Sequence, residues 1–188
     1  MTRRLALIAL TTALVLAATS GTALAHHYDY LLAPSSKCAN QTNTSLSTSD
    51  QELVMRCLHN YARVHAGRAP LRASSLLQTS SDRKTGDLVS CGFSHTACGR
   101  PFDYWIRRAG YVSSSCSSWG LGENIAWGTG SLGTPRAIMS GWLHSDGHRH
   151  NLLSSSFRDV GFGLRKGTID GYRGASVWTA QFGYRSGC

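Results

Sequence analysis

The sequence predicts an α+β domain, stapled by disulfides, in which helices come first and an antiparallel sheet closes the chain. Between residues 49 and 142, apolar side chains recur at helical spacing. Residues 159–165 and 175–184 instead alternate with a period of two, which is typical of strands. Helices followed by paired strands favour a layered α+β architecture. Six cysteines follow an apolar leader, so disulfides are expected to supplement the core.

The first 25 residues have the features of a secretory signal peptide. Arg3 and Arg4 give a basic start, residues 5–16 are apolar, and Ala23-Leu24-Ala25 is a cleavage-type ending. The apolar run is too short for a membrane span, and no later stretch approaches the required length. We therefore expect a secreted, extracellular chain with no stable membrane span. An uncut N-terminal anchor is the alternative.

The cysteines favour disulfides over metal ligation, because their number is even in an exported chain and no Cys-x-x-Cys motif occurs. Six cysteines allow fifteen connectivities, so the sequence alone does not fix the pairing. In the pairing we favour, Cys38–Cys57 anchors the N-terminal segment, Cys91–Cys98 closes a small loop and Cys116–Cys188 anchors the C-terminus.

The positive charge is spread along the chain. The formal net charge of +9 falls to +7 when Arg3 and Arg4 leave with the signal peptide. This balance favours weak, salt-dependent attraction to anionic cell-wall polymers or lipid headgroups, although a generic basic surface explains it equally well. Nucleic-acid binding requires a concentrated basic stripe or a known motif, and neither is found, which excludes that class of partner.

The N-terminal half predicts a polar lead and three helices. Residues 26–48 lack apolar periodicity and are expected to be extended, held by Cys38. Ser49 and Glu52 form a capping box. The helix that they begin has an apolar stripe of Leu53, Cys57, Leu58, Tyr61 and Val64 and ends near Gly67 and Pro70. Weaker patterns predict helices over residues 75–89 and, from Pro101 to Gly110, over 100–110.

The C-terminal half predicts a strand, a helix, a histidine-rich turn and a hairpin. Residues 121–128 form the strand, and Thr134-Pro135 begins a helix through Trp142. Gly147 predicts a turn in the segment that follows, with a second short element opening at His148. The two closing strands are joined by a turn around Asp170-Gly171.

Three side chains are candidates for chemistry: His95, Glu123 and His148. Glu123 is an acid in an apolar segment, and a buried carboxylate is costly unless a cation or several donors meet it. Histidines can meet it as charged neighbours or as co-ligands of a divalent metal. Alternatively, Glu123 caps a local turn while the histidines bond to backbone. Ser94 lies next to His95 and Ser145 lies near His148 in the sequence, so each serine is a potential nucleophile. The His-Glu-x-x-His motif of zinc peptidases and the Gly-x-Ser-x-Gly motif of serine hydrolases are absent.

An ordered set of motifs over residues 49 to about 184 resembles the CAP superfamily (cysteine-rich secretory, antigen 5 and pathogenesis-related 1 proteins; SCP-like domain), in its bacterial secreted branch. The set is Leu58-His-Asn-Tyr-Ala-Arg63 with Pro70-Leu71, Phe93-Ser-His95, Ala109-Gly-Tyr111, Gly122-Glu-Asn-Ile-Ala126, Trp142, Ser145-Asp-Gly-His-Arg-His-Asn-Leu-Leu153, Val160-Gly-Phe-Gly163 and Trp178-Thr-Ala-Gln-Phe-Gly183. Each motif is short, and the order makes the set specific.

The resemblance implies a three-layer α-β-α sandwich with a small antiparallel sheet, formed by residues 49–188. It also implies a central cleft containing two histidines and two acids, which in some members bind a divalent cation such as Zn, Mg or Ca. His95, Glu123 and His148 match three of these four positions and are the implied metal ligands, with Asn124 and Ser145 also in the cleft. The second acid falls at about Ser145, so Asp146 or a water would have to replace it.

The family has several described activities, and fold resemblance does not choose among them. We expect a monomeric extracellular binding module whose small ligand is a lipid or a sterol, as described for the family, or a cell-wall component. The alternative is a metal-assisted hydrolase, either a peptidase or a cell-wall glycan hydrolase, in which Glu123 or a histidine is the general base.

Overall fold

The computed structural model describes residues 27–188. The predicted signal peptide lies outside these residues. In chain order the helices and strands are α1 (Thr48–His65), β1 (Arg72–Ala73), α2 (Ser75–Cys91), α3 (Tyr104–Arg108), β2 (Ser118–Gly128), α4 (Pro135–His144), α5 (Asp146–Leu153), β3 (Asp159–Ile169) and β4 (Tyr172–Ser186). Within the described residues, no helix has the length and apolar character that crossing a membrane would require.

The sheet has four strands in the order β1-β3-β4-β2. Strands β3 and β4 form the predicted hairpin, and its turn uses positive φ angles of 49° at Asp170 and 85° at Gly171. Strand β2 pairs antiparallel with β4 along its whole length, from Ser118 opposite Ser186 to Gly128 opposite Ser176. The sheet is not wholly antiparallel, because the two residues of β1 pair parallel with β3.

Helices cover both faces of this sheet, which confirms the three-layer sandwich. The even-numbered residues of β4, such as Trp178 and Phe182, pack in the core with α1, α4 and α5. The odd-numbered ones face α2, where Thr179 accepts a hydrogen bond from Thr85 at 2.9 Å. Helix α2 lies so close to β3 that a Cβ at Gly161 would come within 2.1 Å of its backbone, so glycine is required there.

The disulfides Cys38–Cys57, Cys91–Cys98 and Cys116–Cys188 are all present, which confirms the favoured pairing. The predicted extended lead is wrong in one respect. Residues 27–48 contain a 3-10 turn at Asp29–Leu31, and Leu31 and Ala33 are fully buried in the core below α1. Packing therefore holds this segment as well as Cys38 does.

Helix α1 departs from its predicted cap and stripe. Ser47, not Ser49, is the N-cap, because its hydroxyl accepts the Asp50 N–H at 3.1 Å. Glu52 does not complete a capping box, since it accepts the Leu164 N–H of strand β3 at 2.8 Å. Leu53 and Val64 are more than half exposed, and the fully buried residues of the helix include Met55, Leu58, His59 and Ala62. The buried stripe is thus rotated and contains a polar ring.

The histidine-rich segment breaks at Ser145 rather than at the predicted Gly147. Ser145 is extended (φ −104°, ψ 121°) and separates α4 from α5. Gly147 is the second residue of α5, where the missing side chain costs little because the first helical turn has few internal hydrogen bonds. Helix α3 is also shorter than predicted, and both Pro101 and Gly110 lie outside it.

Candidate functional site

The site is built on strand β2, whose consecutive residues Glu123 and Asn124 point to opposite faces of the sheet. Glu123 lies on the α2 face beside Gln181 of β4. Asn124 lies on the α5 face, where it donates to the His148 carbonyl at 2.9 Å. Gly122 permits this approach, because a Cβ there would lie 2.7 Å from the Phe157 ring. One edge strand therefore holds the segments of both histidines.

Three side chains satisfy the buried carboxylate of Glu123, which is 1% exposed. Its Oε1 lies 2.8 Å from Nδ1 of His95 and 3.7 Å from the ammonium of Lys84. Its Oε2 accepts from Nε2 of Gln181 at 2.9 Å. Gln181 is held in turn by a hydrogen bond from the Ser80 hydroxyl. A cation and two further partners thus offset the cost of burying the acid.

Lys84 also fixes the loop that carries His95. Its ammonium donates to the carbonyls of Ser94 at 3.1 Å and His95 at 2.6 Å, and its side chain is 2% exposed. The pKa of Lys84 lies below its usual value because burial disfavours the charge, and the nearby carboxylate of Glu123 opposes that effect. The His95 ring itself remains 52% exposed at the end of this buried network.

His148 approaches from the other layer, on α5. Its Nδ1 lies 2.9 Å from the Ser145 hydroxyl. Asn151 supports the same helix, because its amide donates to the Asn124 side chain at 3.0 Å and to the Glu123 carbonyl at 3.2 Å. The pKa of His148 is lowered, first by burial and then by the positive charge that His95 can carry.

The predicted metal ligands do not form a three-ligand group. Among residues 27–188, no cluster of three or more His, Cys, Asp and Glu side chains is arranged to hold a metal ion. Lys84 already stands beside the Glu123 carboxylate where a cation would be expected. Asp146 does not replace the missing acid, since its side chain is 95% exposed and pairs with Arg149. Metal binding by His95, Glu123 and His148 therefore stays a prediction. The donor set does not fit it well, because the Lys84 ammonium already lies beside the carboxylate.

The structure places all five predicted site residues around β2, but with unequal roles. His95 and Glu123 are in direct contact, and Ser145 contacts His148. Asn124 bonds to the His148 backbone and so positions the helix. Residues that the sequence reasoning missed complete the network: Lys84, Gln181, Ser80 and Asn151. The polar middle of α2 could have indicated this network. Several of its polar side chains are buried against the sheet, and buried polar groups require hydrogen-bond partners.

Each imidazole presents the same ring atom to a ligand. The hydrogen bonds that residues 27–188 make to these rings use Nδ1, which leaves Nε2 of His95 and of His148 available. A hydrogen bond to a carboxylate favours the proton on Nδ1 of His95, so its neutral Nε2 is an acceptor. Nε2 of His95 can therefore accept a hydrogen bond from a hydroxyl or, when the ring is protonated, donate one to an anionic oxygen.

Comparison with known proteins identifies relatives of this arrangement. The family model described as CAP, the cysteine-rich secretory protein family, matches residues 57–182. The uncharacterized protein YkwD of Bacillus subtilis (strain 168) is 32% identical over 151 residues, which cover 77% of this chain and 52% of that protein. The chain thus spans about half the length of this curated relative.

Solved structures share the fold. An outer surface protein from Borrelia burgdorferi has a TM-score of 0.62 at 18% identity, covering 75% of this chain and 97% of its own. An extracellular protein containing an SCP domain, from Bacillus anthracis, has a TM-score of 0.56 at 24% identity, with coverages of 72% and 40%. A cysteine-rich secretory protein from Staphylococcus aureus has a TM-score of 0.51 at 18% identity, with coverages of 72% and 39%.

Proposed function

The chain belongs to the cysteine-rich secretory protein (CAP) family, and from this premise we propose that it is an extracellular binding module. Its ligand would be a small, oxygen-rich molecule, such as a cell-wall saccharide, held between His95 and His148. Relatives are described as extracellular or as outer surface proteins, which supports the location. Three disulfides support it as well, since disulfides persist in oxidising compartments.

The observation that carries the proposal is a half-exposed imidazole supported by a buried ion pair. Glu123 and Lys84 are each at most 2% exposed, whereas His95, bonded to Glu123, is 52% exposed. Because buried charges are costly, a buried pair that holds an exposed ring indicates that the ring's orientation matters. A fixed ring loses little entropy when a ligand binds, which favours recognition of a polar group.

Titration calorimetry with soluble cell-wall saccharide fragments tests the proposal. The doubly substituted His95→Ala/His148→Ala protein should lose the binding heat that the wild type shows. His150→Ala is the matched control, because His150 is an exposed histidine on the same helix as His148. A parallel titration with Zn²⁺ distinguishes metal binding from saccharide binding. If the wild type and the double variant give equal heats in both titrations, neither ligand binds at these two rings.

Hydrolysis is a second candidate, favoured by the contact between His95 Nδ1 and Glu123 at 2.8 Å. A carboxylate in this position orients an imidazole and stabilises its protonated form, so Nε2 of His95 could act as a general base on water. A panel of peptide, ester and glycan substrates tests this role. Turnover that is lost in Glu123→Gln, with an unchanged circular dichroism spectrum, would favour the enzyme over the binding module.

A further inference from the structure

A small basic pocket lies between helices α2 and α3, away from the two cleft histidines. Its volume is about 140 Å³, and its lining includes Thr79 and Arg83 from α2 and Trp105 and Arg108 from α3. Thr79 and Arg83 are four residues apart and so share one face of α2. Two arginines, a threonine and a tryptophan from two helices thus line a space large enough for one tetrahedral oxyanion.

The indole wall of this pocket is held rigidly. Trp105 donates its Nε1–H to Oδ2 of Asp87 at 2.7 Å. The guanidinium groups of Arg83 and Arg100 lie over the ring, 5.5 and 5.1 Å from its centroid. The cation–π contact with a fixed indole restricts the guanidinium of Arg83 before any ligand arrives, which lowers the entropy lost on binding.

The charges around the pocket do not cancel. Asp87 is paired with Arg100 at 2.6 Å, and Asp103 with Arg107 at 2.6 Å. Of the ion pairs formed within residues 27–188, none involves Arg83 or Arg108. Two guanidinium charges are therefore left to meet an anion, and Asp87, which accepts from Trp105, is buried and paired with Arg100.

A second basic pocket continues the surface along α2. It measures about 380 Å³ and is lined by Arg72, Arg185, Asp159 and the first residues of α2, including Ser75. Arg185 donates to the carbonyls of Gly110 and Tyr111, at 3.3 and 2.8 Å, immediately after Ala109 of the first pocket. Arg72 pairs with Asp159 at 3.0 Å, so Arg185 supplies the net charge here. The two pockets are neighbours.

We propose that this arginine strip (Arg83, Arg108 and Arg185) binds successive phosphate groups of a linear polyol-phosphate polymer. Guanidinium groups bind phosphate oxygens in a bidentate manner, and two adjacent basic pockets match a repeating anion better than a single one. The aromatic rings beside the strip are covered by guanidinium groups: Trp105 by Arg83 and Arg100, and Tyr111 by Arg185 at 4.7 Å. Stacked bases would need such faces free, so the strip fits a polymer without bases.

Titration calorimetry on the full secreted chain tests the assignment, with poly(glycerol phosphate) as the probe. Arg83→Gln/Arg108→Gln should weaken binding by about a hundredfold, because each of the two lost charge-assisted contacts accounts for roughly a factor of ten. The slope of log affinity against log salt is negative, and its magnitude should decrease by about 1.4 because two phosphate contacts are lost. The control Arg165→Gln/Arg173→Gln removes the same charge from exposed positions on the β3–β4 hairpin and should change affinity by less than about twofold.

Two further titrations separate the sources of phosphate. Inorganic phosphate should bind far more weakly than the polymer, since it occupies one pocket at a time. Single-stranded DNA with the same number of phosphates should also bind more weakly. The proposal is overturned if the two double variants lose affinity equally, if free phosphate binds as well as the polymer, or if the DNA binds as tightly. Urea denaturation of both variants verifies that each remains folded.

Discussion

His59 should make the protein unstable in mild acid. The ring is fully buried in α1, among the aromatic rings of Trp142, Phe162 and Phe182, with centroids 5.4, 4.8 and 6.0 Å away. Nδ1 of His59 bonds to the Met55 carbonyl at 3.1 Å, and its buried Nε2 has no partner within residues 27–188. A proton on Nε2 would therefore be a buried charge without an acceptor.

The pKa of His59 falls from 6.5 to about 3, mainly because burial disfavours the charged ring and also because Arg63 repels it. Below pH 6.5 the unfolded chain takes up a proton that the folded chain refuses, so stability falls with pH until the folded ring also titrates near pH 3. The full loss is about 5 kcal/mol, and about 3 kcal/mol of it should appear between pH 7 and pH 4.

Urea denaturation followed by tryptophan fluorescence at several pH values between 7 and 4 measures this loss. Carboxylates also contribute in this range, so the informative quantity is the difference between the wild type and His59→Leu, which cannot titrate there. That difference should change by about 3 kcal/mol between pH 7 and pH 4. The same measurement on His150→Leu, at an exposed position, is the control. Parallel curves for His59→Leu, or NMR titration of His59 near pH 6.5 in the folded protein, would refute the reasoning.

Three other perturbations have defined outcomes. Lys84→Met should reduce the free energy of unfolding by about 3–5 kcal/mol in urea denaturation, because Glu123 is left buried without a cation, and Lys84→Met/Glu123→Gln should recover part of the loss. Replacing both cysteines of Cys116–Cys188, 72 residues apart, by serine should cost about 4 kcal/mol on the chain-entropy estimate. The carboxyl of Glu52, whose pKa is raised to about 7 by burial and by a neighbouring acid, should titrate near pH 7 in ¹³C NMR spectra. Its contribution favours folding below pH 4.5 and is lost as the pH rises through 7.

The sheet was the most predictable part of the fold, because the alternation of side chains along a strand can be read from consecutive residues. The hairpin around Asp170-Gly171 follows directly from it. Helix α1 was harder, since helical spacing fits more than one phase of apolar residues. The burial of Met55 and His59 and the exposure of Leu53 depend on which side of α1 faces the sheet, and only the tertiary structure decides that.

The parts of the site that could be predicted are those where a polar residue interrupts an apolar segment of the sequence. Glu123 in an apolar strand indicated that the carboxylate needs partners, and His95 is one of them. Gln181 lies 58 residues away, and only the pairing register of β2 and β4 brings it to Glu123. Lys84 was missed because a lysine in a polar stretch of helix reads as solvated. A lysine in a helix buried between a sheet and a second helix should instead be assigned an anionic partner.

The position of Lys84 changes what the cleft can do with its acid. A metal would draw both histidines and Glu123 onto one centre, whereas the ammonium at 3.7 Å neutralises the carboxylate internally and binds the carbonyls of Ser94 and His95. The loop that carries His95 is thus held by that cation at one point and by the Cys91–Cys98 disulfide around it. Both constraints act on the free molecule, so the imidazole is oriented before a ligand arrives, and a chelator should leave ligand affinity unchanged.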